Sequence, residues 1–186
     1  LPIYDKPLIY YPLSVLMLAG IKNILLVVNK GQRQQFKNLL QDGARFGIKI
    51  NYIEQEKPKG LPDAFILGEK FIGKDNIALI LGDNFFFGQS LTKKLKNCLT
   101  LNSGCKILVH PVNKPELYGV ATTNKKNKIV SIREKPRNSK SNLAITGLYF
   151  FDNKVVNYSK SLKPSKRKEL EIVDILNIYK KKNKLS

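Results

Sequence analysis

Residues 77–88 read Ile-Ala-Leu-Ile-Leu-Gly-Asp-Asn-Phe-Phe-Phe-Gly. The apolar run stops abruptly at Gly82, Asp83 and Asn84. A run this short and this apolar, closed by turn residues, has the pattern of a strand buried on both faces, as in a parallel sheet. Open α/β sheets bind ligands just beyond the carboxyl ends of such strands. An aspartate planted there either caps the loop or offers a carboxylate to a hard cation. Asp83 is therefore the first candidate functional residue, and a parallel sheet is the first expectation for the fold.

The segments on either side extend the pattern. Pro7 to Ala19 has apolar residues at helical spacing, with Gly20 placed to end the helix. Asn23 to Val28 reads as a strand, Gln32 to Leu40 as an amphipathic helix closing before Gly43, and Ile48 to Ile53 as a second strand. Pro62 opens a helix through Lys70, with proline at the tolerated first position. After the Asp83 strand come a helix at Leu91 to Leu99 and a strand at Cys105 to His110. This alternation predicts a parallel sheet with right-handed crossovers. Beyond it, Tyr118 to Thr123, Ile129 to Arg133 and Ala144 to Phe151 are strand-like, and 124–127 (Asn-Lys-Lys-Asn) reads as a hairpin connection. Asp152 to Ser161 and Glu169 to Lys180 close the chain as two helices. The expected class is α/β, a Rossmann-like, mixed, mostly parallel sheet flanked by helices, with an antiparallel extension, in one domain over 1–186.

Composition narrows the function. The chain has 186 residues, enough for one substantial core. No apolar stretch approaches the roughly 20 residues of a spanning helix, and no signal-peptide pattern opens the sequence. A membrane role is not expected. Two cysteines, Cys98 and Cys105, are too few for a disulfide scaffold and read as plain thiols of a reducing cytoplasm. The net charge of +19 permits nucleic-acid binding, but lysine is spread over loops and helix faces alike. Zinc-ligand spacing, an RNA-binding aromatic pair and a helix-turn-helix are all missing from the pattern, so nucleic acid is not the expected partner.

Three segments could carry chemistry beside one another. Asp83 and Asn84 put two polar side chains at one sheet edge. The segment 56–62 (Glu-Lys-Pro-Lys-Gly-Leu-Pro) links a strand to a helix, so its backbone N–H groups face that same edge. It is either an ordinary turn or an anion and ligand site in which Gly60 lets a ligand approach the backbone. Gln55 before it carries an amide able to pair with a base edge. In the segment 131–136 (Ser-Ile-Arg-Glu-Lys-Pro), Pro136 is expected to hold Lys135 extended. There Lys135 could meet a phosphate as a point charge and Glu134 could bind hydroxyls, or the pair is simply solvated. Tyr118-Gly119 and 142–149 each mix glycine with an amphipathic tyrosine. Glu169, Glu171 and Asp174 are expected in the first turn of a helix, where its dipole favours acids.

The order of these segments resembles a known family. The opening 1–14 (Leu-Pro-Ile-Tyr-Asp-Lys-Pro-Leu-Ile-Tyr-Tyr-Pro-Leu-Ser) is followed by Gly60-Leu61, 81–84 (Leu-Gly-Asp-Asn) and Tyr118-Gly119-Val120. Glu134-Lys135-Pro136, 146–149 (Thr-Gly-Leu-Tyr) and 169–174 (Glu-Leu-Glu-Ile-Val-Asp) complete the set. Each motif is weak alone; together, in order, over essentially the whole chain, they resemble the glucose-1-phosphate thymidylyltransferases, a branch of the sugar-phosphate nucleotidyltransferases. The resemblance implies transfer of dTMP from dTTP to α-D-glucose 1-phosphate, giving dTDP-glucose and pyrophosphate with Mg²⁺, for dTDP-L-rhamnose and cell-surface polysaccharide. It implies that Asp83 binds the metal, that Gln55, Gly60 and Leu61 hold the nucleotide, and that Lys135 binds the sugar phosphate. Tyr118, Gly119, Glu134, Ile145 and Tyr149 would contact glucose, Asp83 and Lys135 being the catalytic pair. A cytoplasmic homotetramer is implied as well.

The family's Gly-Gly-x-Gly-Thr-Arg loop, its Ser-Lys-Gln segment and its Trp-x-Asp-Thr-Gly segment are not found in these residues. The chain thus reads as incomplete at both ends and nearly inactive alone. Pro62-Asp63 also replaces the Ala-x usual after Gly-Leu. The alternatives are a UTP-using sugar-1-phosphate nucleotidyltransferase and a non-catalytic nucleotide-sugar-binding paralogue.

Overall fold

The computed structural model describes residues 2, 3 and 5–186. Leu1 and Tyr4 of the opening motif lie outside them. In chain order the elements are β1 (Pro2–Ile3), β2 (Lys6–Pro7), α1 (Tyr10–Ala19), β3 (Asn23–Asn29), α2 (Arg33–Leu40), β4 (Lys49–Gln55), α3 (Asp63–Leu67), α4 (Glu69–Ile72) and β5 (Ile77–Ile80). There follow α5 (Leu91–Leu99), β6 (Cys105–Pro111), β7 (Gly119–Thr123), β8 (Ile129–Glu134), β9 (Leu143–Phe151), α6 (Val155–Ser161) and α7 (Ile172–Lys181). Gly20 ends α1 with φ 87°, as its place after the last apolar residue predicts.

The alternation of elements is as expected, but the strand order holds a feature that periodicity does not reveal. β3 and β4 pair in parallel, Asn23 against Lys49 through Asn29 against Gln55. β5 and β6 do not pair with each other. β9 lies between them, antiparallel to both, with Phe151 opposite Ile77 on one side and Cys105 on the other. The β7–β8 hairpin joins the amino-terminal end of β9 through Val120 and Ala144. Its turn is the predicted one, with the Asn124 side chain accepting from the Lys126 and Lys128 N–H groups and Asn127 at φ 56°.

Helices cover both faces. Alternation along β9 sends Leu148 and Phe150 to a cluster with Val15 and Ala19 of α1 and Leu95 and Cys98 of α5. It sends Tyr149 and Phe151 to Phe65, Ile72, Val155 and Leu176 on the opposite side. β9 is almost wholly apolar because both faces are buried. Each such Leu or Phe contributes about 1.5–3 kcal/mol. Cys98 and Cys105 are buried free thiols.

Three local expectations need correction. The helix expected over 62–70 is broken at Gly68 into α3 and α4. Glu169 and Glu171 precede α7 and only Asp174 sits in its first turn; Leu170 is drawn out of any helix by donating its N–H to the Lys59 carbonyl at 2.7 Å. Lys135 is not extended: its φ is 40°, because its N–H closes the β7–β8 ladder on the Tyr118 carbonyl at 3.0 Å. The tertiary hydrogen bond overrides the bias that Pro136 imposes.

Candidate active site

Asp83 lies just beyond β5, its side chain exposed. Leu81 still donates to the Gly147 carbonyl at 2.9 Å, so the loop leaves the sheet only after it. The Asn84 amide, oriented by its partners, donates to Asp83 Oδ1 at 3.1 Å and accepts from the Gly147 N–H at 2.9 Å. A Cβ on Gly147 would fall 2.0 Å from that amide. Gly147 is thus glycine because Asn84 rests on it, and through Asn84 the β9 backbone fixes Asp83.

The strand-to-helix loop stands at the same edge. Gln55 ends β4 and donates its amide to Asn29 Oδ1 at 2.9 Å. Gly60 has φ 99° and a Cβ there would lie 2.1 Å from the Leu170 carbonyl oxygen. What approaches the Gly60 backbone in this structure is therefore the 169–171 segment. Leu61 packs on the core, and Pro62 is fully buried ahead of α3. Gln55, Gly60, Leu61, Gly82, Asp83 and Glu169 all line one cavity of about 1540 Å³.

The second group converges through the antiparallel ladders. Gly119 is opposite Glu134 in the β7–β8 pair. A Cβ on Gly119 would lie 3.4 Å from Glu134 Oε2 and 3.6 Å from Ile145 Cδ1. Ile145, Gly147 and Tyr149 alternate onto one face of β9, so this group shares its floor with the residue that holds Asn84. Burial pushes the Glu134 carboxyl up, Glu171 and Asp174 push the same way, and Lys135 and Arg167 oppose them. Burial, then the Glu134 charge, raises the Tyr149 phenol. Burial, then Glu171, raises Asp174. Tyr118 is 44% exposed at the edge of the group, and Lys135 is exposed beside Glu134. A non-glycine residue at φ 40° is strained backbone, which persists only where its surroundings fix it.

Arg167 is the member the motifs do not point to. Its guanidinium reaches Glu134 at 3.6 Å, Glu171 at 3.7 Å and Glu169 at 3.2 Å, while Ser165 donates to Glu171 at 2.7 Å. It lies in a polar loop without periodicity, and the only hint is its place two residues before the acidic run. Chemically, the arrangement offers one exposed carboxylate at a cavity edge, a half-buried carboxylate held by an arginine, and a lysine at a fixed backbone position. Groups of three or more metal-ligating side chains are not formed among the described residues. A Mg²⁺ ion carried by phosphates needs only one or two carboxylates and keeps its waters, so exposed Asp83 fits one protein ligand of such an ion.

The nucleotidyl transferase family model matches residues 1–186. The chain is 52% identical over 186 residues to a glucose-1-phosphate thymidylyltransferase of Neisseria meningitidis, covering 100% of this chain and 65% of that protein. It is 44% identical to the Mycolicibacterium smegmatis glucose-1-phosphate thymidylyltransferase, covering 100% of this chain and 64% of the relative. The chain thus spans a little under two thirds of these relatives' length. Among solved structures it is similar to a Bacillus anthracis protein assigned as a glucose-1-phosphate thymidylyltransferase and solved with sucrose. The TM-score is 0.91 at 38% identity, over 100% of this chain and 75% of that one. A UDP-glucose pyrophosphorylase complexed with UDP-glucose aligns with TM-score 0.80 at 26% identity, covering 98% and 78%.

Proposed function

Because this chain belongs to the nucleotidyl transferase family, we propose that it carries the nucleotide edge and sugar-binding face of a glucose-1-phosphate thymidylyltransferase. The reaction joins a phosphate oxygen of α-D-glucose 1-phosphate to the α-phosphorus of dTTP. The bond from that phosphorus to the β-phosphate bridging oxygen breaks, and pyrophosphate leaves. The observation that carries this reading is the shared floor on β9: Gly147 fixes Asp83 through Asn84, and Ile145 and Tyr149 flank it beside Glu134.

Asp83 would hold Mg²⁺, which when bound neutralises phosphate charge. Gln55 presents its amide to the thymine edge, and Gly60-Leu61 positions the base beside it. Lys135, fixed by its backbone bond to Tyr118, attracts the sugar phosphate as a point charge. Glu134 accepts from glucose hydroxyls, and Arg167 keeps it and Glu171 oriented. The small Gly119 leaves room for the ring against Ile145, Tyr149 and Tyr118. Little covalent work falls to the protein; positioning and charge placement supply the rate. In a cell the reading places the product in dTDP-L-rhamnose synthesis, in the cytoplasm, with the whole protein a homotetramer.

A UTP-using enzyme is the second reading, favoured by the pyrophosphorylase likeness, but at 26% identity against 38% it is the weaker. Calorimetric titration of residues 1–186 with dTDP-glucose and UDP-glucose separates the two. Binding of dTDP-glucose at least tenfold tighter, weakened at least tenfold by Glu134→Gln, is expected. Preference for UDP-glucose overturns the thymidylyl assignment, and binding of neither sugar nucleotide overturns the site.

A further inference from the structure

β3 and β4 end side by side, with Asn29 opposite Gln55 in the parallel register. Registered neighbours on paired strands share one face of the sheet. The Gln55 amide uses that closeness: its Nε2 donates to Asn29 Oδ1 at 2.9 Å. Both residues line the cavity that Gly60, Leu61 and Asp83 also line.

An asparagine at a strand end ordinarily serves the turn behind it, its side chain taking a backbone N–H two residues on. Here other groups hold the turn. The Gln32 N–H donates to the main-chain carbonyl of Asn29 at 3.0 Å. The Glu54 carboxylate accepts from the Gly31 and Arg33 N–H groups at 3.0 and 3.3 Å. Lys30 is tied to β4 twice, its N–H to the Gln55 carbonyl at 3.1 Å and its ammonium to Glu56 at 2.7 Å. The main chain beneath Asn29 and Gln55 is therefore fixed without the Asn29 side chain, which holds the Gln55 amide instead.

A primary amide carries two N–H donors and one acceptor oxygen. With one N–H given to Asn29, Gln55 keeps a donor beside an acceptor for a ligand. A base edge must match that pair in order. The imide edge of thymine or uracil does: its N3–H donates to Oε1 and its O4 accepts from Nε2. Cytosine offers the reverse, a bare N3 beside an amino group. To serve cytosine the Gln55 amide must turn end for end. That sets Oε1 against Asn29 Oδ1, two acceptors with no proton between them.

We propose that Asn29 is a positioning residue for base selection. By accepting from Gln55 Nε2 it holds the amide in the order that reads an imide edge and disfavours cytosine. The inference rests on the reading of Gln55 as the base-facing residue. Thymine and uracil share the imide edge, so it holds for either sugar nucleotide.

Calorimetric titration of the chain with dTTP and with dCTP, each with Mg²⁺, gives a ratio in which effects on the common triphosphate cancel. The parent is expected to prefer dTTP roughly tenfold or more. Gln55→Ala should erase that preference. Asn29→Ala, at an exposed position, should keep the urea midpoint and lower the ratio about fivefold, the weight of one hydrogen bond. Asn29→Asp accepts but cannot donate, so it keeps the orientation assigned to Gln55 and should keep the parent's ratio. A parental ratio in Asn29→Ala, beside a loss in Gln55→Ala, overturns the positioning role and leaves the reading of Gln55 intact. A ratio in Asn29→Asp as low as in Asn29→Ala overturns the assigned orientation and the proposal with it. A parent without preference, or a parental ratio in Gln55→Ala, overturns the reading of Gln55 on which the proposal rests.

Discussion

The contact between Gly60 and Leu170 can be made to report on how the site is assembled. In Gly60→Ala the new Cβ lies 2.1 Å from the Leu170 carbonyl oxygen and 2.9 Å from its nitrogen, both backbone atoms that no rotamer change can move. The φ of 99° adds left-handed strain of about 1–2 kcal/mol for any residue with a Cβ. Moving the 169–171 segment away breaks the Leu170 N–H bond to Lys59, about 1 kcal/mol net, and overpacking adds about 1–3 kcal/mol. The sum is about 4 kcal/mol, or roughly 8–16 °C in Tm for a chain of this size. Gly31→Ala is the control, since its φ is 80° and nothing lies within 4 Å of the added Cβ. It keeps the strain and lacks the clash, so about 1–2 kcal/mol is expected. Urea denaturation of both variants, compared at constant m, measures the difference. Gly60→Ala falling within about 1 kcal/mol of Gly31→Ala would refute the claim that the 169–171 segment is locked on this glycine.

The other expectations follow from charge and burial. Glu134 and Asp174 have raised carboxyl pKa values, so their contribution to stability is fully present below the unfolded carboxylate value and is lost as pH rises through the folded one. Glu134→Gln should therefore unfold at higher urea than the parent at pH 7 and lose that advantage near pH 4, while binding dTDP-glucose more weakly. Asp83→Asn, at an exposed position, should leave stability within about 0.5 kcal/mol and abolish the gain in dTTP affinity on adding Mg²⁺, read by calorimetry with and without the ion. Tyr179→Phe removes the hydroxyl that donates to buried Asp152, whose carboxylate also accepts from Gly104 N–H at 2.7 Å. A loss of about 1.5–3 kcal/mol is expected in thermal denaturation.

The elements were legible because burial writes itself into local pattern. Helical spacing before Gly20, apolar runs closed by turn residues, and Asn124 to Asn127 between two strands each carry a mechanism a short window contains. What a window does not contain is a partner. The run from Leu143 to Phe151 is nearly all apolar, which marks a strand buried on both faces, but nothing in it says that β5 and β6 flank it. That is a choice among long-range pairings made by the whole core. Lys135 shows the same limit at one residue: the proline rule is a local bias, and a single ladder bond to Tyr118 outweighs it.

The site divides along the same line. Asp83 was visible because a carboxylate at the end of an apolar strand contradicts its surroundings. Glu134 and Gly119 were visible as separate candidates but not as neighbours, since their meeting depends on the β7–β8 register. Arg167 was not visible at all, because a lone arginine in a polar loop looks like solvent-facing charge. Its role exists only where Glu134, from a hairpin, and Glu169 and Glu171, from a segment pinned on Gly60, come within reach of one guanidinium. Partial burial and the nearby Glu171 charge push the Glu134 carboxyl toward protonation, and Arg167 opposes them. The arginine therefore couples the 56–62 loop, through Leu170 on Gly60, to the Glu134 carboxylate. A clash at Gly60 should accordingly loosen Arg167 from Glu134, and on the proposed assignment Gly60→Ala then binds dTDP-glucose more weakly, as calorimetry would read.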